Sequence, residues 1–231
     1  MELSSVIKDL LIAVFPILIA ITFHEVAHGF VAYKLGDSTA KMMGRLTLNP
    51  LAHIDPVGTV IVPLMLFILS KGSFIFGAAK PVPVNFYNLK NPRRDSALVS
   101  AAGPSVNVLI AFLSVLLLIF IYKIYTIFIP SSFIGQKVIV PIKKMLLYNI
   151  SFNIFIAAFN LLPIPPLDGG RIVASLLPPR HSLQFSKIEP YGIFIILILW
   201  FTGIAHYIIL PIQLLIKLII RIFLLPVGGL M

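Results

Sequence analysis

Residues 6–33, VIKDLLIAVFPILIAITFHEVAHGFVAY, stay apolar for long enough to cross a bilayer, which takes roughly 20 helical residues. Near the C-terminal end of this run sit His24, Glu25 and His28. Such groups are costly in hydrocarbon unless they are paired or functional. A removable signal peptide does not fit, because the usual basic start is missing and the run carries those three side chains. The stretch reads as a membrane helix with a site near one end.

The whole chain supports that reading. Of its 231 residues 59% are apolar and 11% are charged, where a soluble domain carries about 25% charged residues. Eighteen basic residues face eight acidic ones, for a net charge of +10. The basic residues are scattered between apolar runs rather than gathered on one polar face, so no nucleic-acid partner is expected. Basic loops of a membrane protein account for them better. The absence of cysteine removes disulfides, thiol nucleophiles and Cys-based zinc sites. The eight acids are Glu2, Asp9, Glu25, Asp37, Asp55, Asp95, Asp168 and Glu189.

Outward from the first run, residues 34–56 turn polar, with Gly36-Asp37, Gly44 and Asn49-Pro50 as breakers. Residues 57–70 are apolar but short and contain Pro63, which suits a re-entrant segment or a full crossing. The stretch 74–86, FIFGAAKPVPVNF, reads as extended chain because Pro81 and Pro83 forbid helix. A second span is expected from about Ser96 to Tyr125, and another from Pro141 to Leu162 carrying Asn149, Asn153 and Asn160. Pro163, Pro165 and Pro166 break the chain before a short helix at 171–177, a polar loop at 178–189 and a further span at 190–207. The last segment, 208–226, places Lys217 and Arg221 one turn apart and suits an interfacial helix or a tilted span.

The expected architecture is an all-α polytopic membrane protein. It is a helix bundle with a re-entrant or extended segment at 57–86 and a broken helix at 163–170. Residues 1–231 form one domain with its core at 6–177 and C-terminal helices at 190–226, and no soluble domain is appended. If residue 34 emerges in the cytosol, the cytosolic loops hold Lys34, Lys41, Arg45, Lys80, Lys90, Arg93, Arg94, Arg171, Arg180 and Lys187. The other side holds Lys8, Lys123, Lys137, Lys143 and Lys144, leaving Lys71, Lys217 and Arg221 unassigned. This bias favours a multi-pass protein of the cell membrane with its site toward the cytosol.

His24-Glu25-Val26-Ala27-His28 is an H-E-x-x-H sequence. On a helix the two histidines share one face about 6 Å apart, so both imidazoles can reach one zinc, with Glu25 beside the metal's water. The plainer alternative is a pair of histidines satisfied by hydrogen bonds in the bundle. A catalytic zinc needs a third protein ligand and an open position. Asp168 is the leading candidate, because prolines unwind the chain before it and Gly169-Gly170 permit tight turns that aim the carboxylate inward. It could also simply cap the following helix. His53, in a loop with Asp55, and Glu189, before Pro190, are the rival ligands.

Three motifs together resemble the site-2 protease family of intramembrane zinc metallopeptidases. They are His24-Glu25-x-x-His28, Ala102-Gly103-Pro104-x-x-Asn107, and Asn160-Leu161-Leu162-Pro163-x-Pro165-x-Leu167-Asp168-Gly169-Gly170. Gly36-Asp37, residues 44–50 and residues 79–85 further resemble its compact prokaryotic branch, and the PDZ-like insertion of the bacterial regulators is missing. The resemblance implies His24, His28 and Asp168 as ligands of one Zn2+ per chain and Glu25 as catalytic base. Asn107 and Asn160 match family asparagines near the site. Helix-to-helix hydrogen bonding is the reading favoured for Asn107, Asn149 and Asn153. Asn160 is divided between that role and holding substrate or a developing oxyanion.

The activity so implied is hydrolysis of peptide bonds in membrane-spanning protein substrates within the lipid bilayer. A transmembrane helix hides its scissile bonds, so an unwound strand must be held. Val82 and Val84 could pair with it by strand addition, although Pro81 and Pro83 lack donors and leave only one edge to pair. Otherwise the segment is a surface loop shaped by its prolines. Two other readings are a catalytically silent membrane metal-binding or scaffold protein, and a membrane zinc peptidase with Glu189 as third ligand. A transporter has no repeat symmetry to support it.

Overall fold

The computed structural model describes residues 3–69, 77, 79–128 and 135–224. Its helices are α1 (Leu3–Lys34), α2 (Thr39–Met42), α3 (Val62–Leu69), α4 (Pro92–Phe128), α5 (Val140–Asn160), α6 (Asp168–Leu176), α7 (Pro179–Ser186), α8 (Gly192–Phe201) and α9 (Ile204–Leu224). No strand occurs among the described residues. Five stretches are long and apolar enough to span: Leu11–Lys34, Pro92–Lys123, Lys137–Asn160, Pro179–Phe201 and Ile204–Ile222. The protein is therefore an all-α, multi-pass membrane protein. Pro56–Leu69 is a shorter apolar helix, about 21 Å long at 1.5 Å per residue, well under the roughly 30 Å hydrocarbon core. Residues 70–76 and 78, which carry Lys71 and four residues of the 74–86 stretch, lie outside the described residues.

Helices α1, α4 and α5 pack together, with α6 against α4 and α9 against α5. Ala111 on α4 and Ala157 and Ala158 on α5 are completely buried, joined by Val115, Ile154, Leu162 and Ile209. Small residues let membrane helices approach closely where no hydrophobic effect drives them together. The outward face reverses the composition. Leu109, Leu113, Leu117 and Phe120 form an exposed stripe down α4, a surface suited to lipid rather than water.

Several boundaries differ from the sequence expectation. Helix α4 starts at Pro92 rather than Ser96, because Pro92 fits the first helical turn and the Asp95 carboxylate accepts the Asn91 N–H at 2.8 Å. Residues 178–189 are not a plain loop, since Pro179 opens α7 there. The final two spans divide at Thr202-Gly203 rather than after 207. Gly203 takes φ +75, a left-handed geometry that ends α8, while the apolar pattern runs on through Ile204-Ala205 and hides the break.

Behind α1 the chain is tied down by Asp37, which is fully buried. Its carboxylate accepts from Thr39 N and Oγ1, from Asn88 Nδ2 and from Asn85 N. Burial pushes this carboxyl up, but the hydrogen bonds from Thr39, Asn88 and Asn85 outweigh it and hold the group below its ordinary range. The stabilisation is complete above the unfolded pKa of about 3.9 and is lost as pH falls through the lower folded value. Asp37→Ala should cost about 2 kcal/mol, or roughly 5 °C in Tm at pH 7. The gap between the two thermal melts should shrink as pH falls below about 3.9; a gap that stays constant over that descent would remove the Asp37 charge as its cause.

Candidate metal centre

The helical spacing of the H-E-x-x-H motif places His24 and His28 on the face of α1 that meets α4 and α6. Their Nε2 atoms lie 3.0 Å apart. Asp168, the first residue of α6, brings Oδ2 to 3.2 Å from His24 Nε2 and 3.3 Å from His28 Nε2. Among the described residues these three form the one group of side chains able to share a metal ion. Leu167 rather than Asp168 stands at the N-cap of α6, with no side-chain cap bond there, and the Asp168 carboxylate lies against the two histidines.

The protons on the two imidazoles follow from their other nitrogens. His28 Nδ1 lies 2.7 Å from the Val99 carbonyl, which can only accept, so Nδ1 carries the hydrogen. His24 Nδ1 lies 2.6 Å from Asn107 Oδ1. The Asn107 amide is oriented by its own donors, since Nδ2 gives to Ala20 O at 3.0 Å and to Asn153 Oδ1 at 2.8 Å. Asn153 Nδ2 gives to Asn149 O and Oδ1, and Asn149 Nδ2 gives to Ser114 Oγ, which gives to Ile110 O. One directional chain thus runs across α4, α5 and α1 and ends at the His24 Nδ1–H. Both Nε2 atoms are left with lone pairs facing each other.

Asp168 Oδ2 is itself buried with no hydrogen-bond donor. Two lone pairs and a carboxylate oxygen therefore converge, an arrangement that a shared cation would offset. A tetrahedral zinc with ligands at about 2.0–2.1 Å has ligand-to-ligand edges of about 3.3 Å. The observed edges of 3.0, 3.2 and 3.3 Å match one face of that tetrahedron. The donor set fits.

Glycines make the approach of the elements possible. A Cβ at Gly103 would lie 2.7 Å from His24 Nε2 and nearer still to His28 Nε2, so α4 can wall the centre only without a side chain there. At Gly169 and Gly170 a Cβ would strike the backbone of residues 161–165. Their bareness lets the first turn of α6 tuck under the end of α5 and aim Asp168 inward.

Glu25 stands beside the centre, and its Oε2 accepts the Val82 N–H at 2.8 Å. Val82 itself is buried, and Val84 packs on Ala32, Leu89 and Val99. Asn160 turns its amide back to Ile156 O in its own helix. The rival ligands stand apart from the group. His53 is buried with Nε2 on the Thr47 carbonyl at 2.8 Å, and Glu189 pairs with Arg171 at 3.5 Å. Sequence reasoning missed the Val82 amide and the closeness of Gly103, although Gly103 lay inside a quoted motif. A backbone donor has no sequence signature beyond the prolines around it.

The family model described as Peptidase family M50 matches residues 12–203. The chain is 39% identical over 198 residues to YwhC of Bacillus subtilis, covering 86% of this chain and 84% of that protein. It is 29% identical over 202 residues to Rip2 of Mycobacterium tuberculosis, covering 82% and 70% respectively. Both relatives carry names that present them provisionally as zinc metalloproteases. No solved structure matches the chain. Because His24 is oriented through Asn107, Asn107→Ala should weaken Zn2+ affinity by about 10–100-fold. Competition against a coloured chelator reads this directly, and an unchanged affinity would show that the amide chain serves packing alone.

Proposed function

The chain belongs to peptidase family M50, the site-2 protease family, and from that premise we propose that it is an intramembrane zinc endopeptidase acting on membrane-spanning proteins. The observation that carries the reading is the triangle of His24, His28 and Asp168 with Glu25 beside it, set within a lipid-facing helix bundle. His24, His28 and Asp168 would hold the ion. When bound, zinc would supply a Lewis acid and bring the pKa of its water to about 7. Glu25 takes a proton from the attacking water and returns it to the leaving amine nitrogen. Its Oε2 is held by Val82 N–H, which leaves Oε1 to face that water.

Access for water follows from depth. His28 and His24 stand six and ten residues before Lys34, the end of α1, or about 9 and 15 Å along the helix. The same end of the bundle carries Lys41, Arg45, Arg93 and Arg171, and that basic bias supports a cell-membrane orientation with this end in the cytosol. The substrate's helix must unwind before its carbonyl can be reached. We assign that holding to Val84 and to the Asn160 side chain, which gives one of its amide hydrogens to the Ile156 carbonyl, since the Val82 N–H is engaged by Glu25.

Purified protein with zinc should cut at least one member of a panel of single-span membrane proteins in liposomes, while Glu25→Gln should not. Equal cleavage by the two would defeat the mechanism. Chelation should stop cleavage and added Zn2+ restore it; Asp168→Ala should lose zinc while Glu189→Ala keeps it, and the reverse would reassign the third ligand. The chain has no cysteine, so a single Ser38→Cys variant reports topology cleanly. It should react with a membrane-impermeant thiol reagent only after the cytosolic side is opened; labelling of intact cells would invert the orientation.

A further inference from the structure

The 79–85 segment is fixed from both ends by groups that touch neither the metal triangle nor Glu25. Arg45 Nη2 donates to the Lys80 carbonyl at 3.0 Å and the Pro81 carbonyl at 3.3 Å. Lys80 N donates to the His53 carbonyl at 3.0 Å. At the far end Asn85 N donates to the buried Asp37 carboxylate at 2.8 Å. Between these anchors Pro81 and Pro83 have no N–H, and Val82 presents a donor that reaches Glu25. The Val82 side chain is seated as well, because a Cβ on Gly29 would come within 2.7 Å of Val82 Cγ1 and of Leu46 Cδ2.

The geometry points to Arg45 as a positioning residue for catalysis, acting through the Val82 amide to fix the carboxylate of Glu25. This rests on Glu25 being the base. A carboxylate on a glutamate stem has free rotamers, and a proton acceptor works only within hydrogen-bond reach of its proton. One N–H on Oε2 removes the rotation and leaves Oε1 directed at the water. Because the donor belongs to the backbone, its place depends on what holds residues 80 and 81, and Arg45 is the side chain that binds both of their carbonyls, beside the Lys80 N–H bond to the His53 carbonyl. The segment therefore serves the base rather than only the substrate.

The test uses full-length protein in liposomes and the single-span protein that the wild type cuts. Arg45→Met keeps the length of the side chain and removes its donors. It should lower kcat about 10–100-fold at unchanged KM and unchanged zinc stoichiometry, and Arg45→Lys should recover most of the loss. Replacing the Val82 amide by an ester, with the valine side chain kept, should give the same kcat defect without touching Arg45. A second readout needs no activity: in zinc-free protein, hydrogen exchange at the Val82 amide should quicken by about tenfold or more in both Glu25→Ala and Arg45→Met. Unchanged or increased kcat in Arg45→Met would overturn the proposal, as would a loss carried by KM or by zinc. Glu25→Gln separates the two levels: if it still cuts, the base assignment fails; if it is dead while Arg45→Met is normal, only the positioning role fails.

Discussion

The Nε2 atoms of His24 and His28 and Oδ2 of Asp168 meet within 3.0–3.3 Å of one another inside an apolar bundle, and a cation shared among them would relieve the repulsion between their lone pairs. The rest of the structure is arranged to make that meeting unavoidable. One helix supplies two of the atoms at the four-residue spacing that stacks them on a face. The third comes from the start of α6, far along the chain, and needs the turn at 161–167 to bring it back. Gly103 is bare because the imidazoles of His24 and His28 stand closer than a methyl group allows, and Gly169 and Gly170 because the backbone of residues 161–165 does.

Polar groups are expensive in such an interior, and the chain limits the cost by satisfying them in series. Asn107, Asn153 and Asn149 are each buried, yet each amide gives and accepts along one path that begins at Ser114 and ends at His24. A path with a fixed direction also fixes the tautomer at its end. The asparagines thereby join packing to chemistry: the same bonds that hold α4 to α5 and α1 keep the Nε2 lone pair of His24 available. Replacing them with leucines of similar volume would preserve the apolar contacts and lose that control.

The spans and the triad were legible in the sequence because each has a period or a spacing. Hydrophobic runs of bilayer length marked α1, α4, α5 and the C-terminal pair, and His24, Glu25, His28 and Asp168 stood out as ionisable groups that an apolar chain had to explain. What was not legible depends on backbone geometry. The division at Gly203 is a torsion angle inside a continuing apolar pattern, and the start of α4 rests on Asp95 reaching back to Asn91. Asn160 shows the limit from the other side. Its sequence context placed it beside Asp168, but its amide satisfies the carbonyl of Ile156, a local bond that no spacing rule distinguishes from a long-range one.

The prolines at 81 and 83 take on a different meaning once their surroundings are known. Read along the chain, they mark a segment poorly able to pair, since each removes a donor from the backbone. In the folded protein two neighbouring donors are already spent, Lys80 on the His53 carbonyl and Asn85 on Asp37. The sequence Pro81-Val82-Pro83 thus isolates one N–H and gives it no competing direction. A carboxylate inside an apolar bundle is attracted to any donor or cation nearby, and this end of the bundle is rich in lysine and arginine. Arg45 is spent on carbonyl oxygens and Arg171 on Glu189. Among the described residues the donor that reaches Glu25 is a neutral amide, which holds the carboxylate without neutralising its charge.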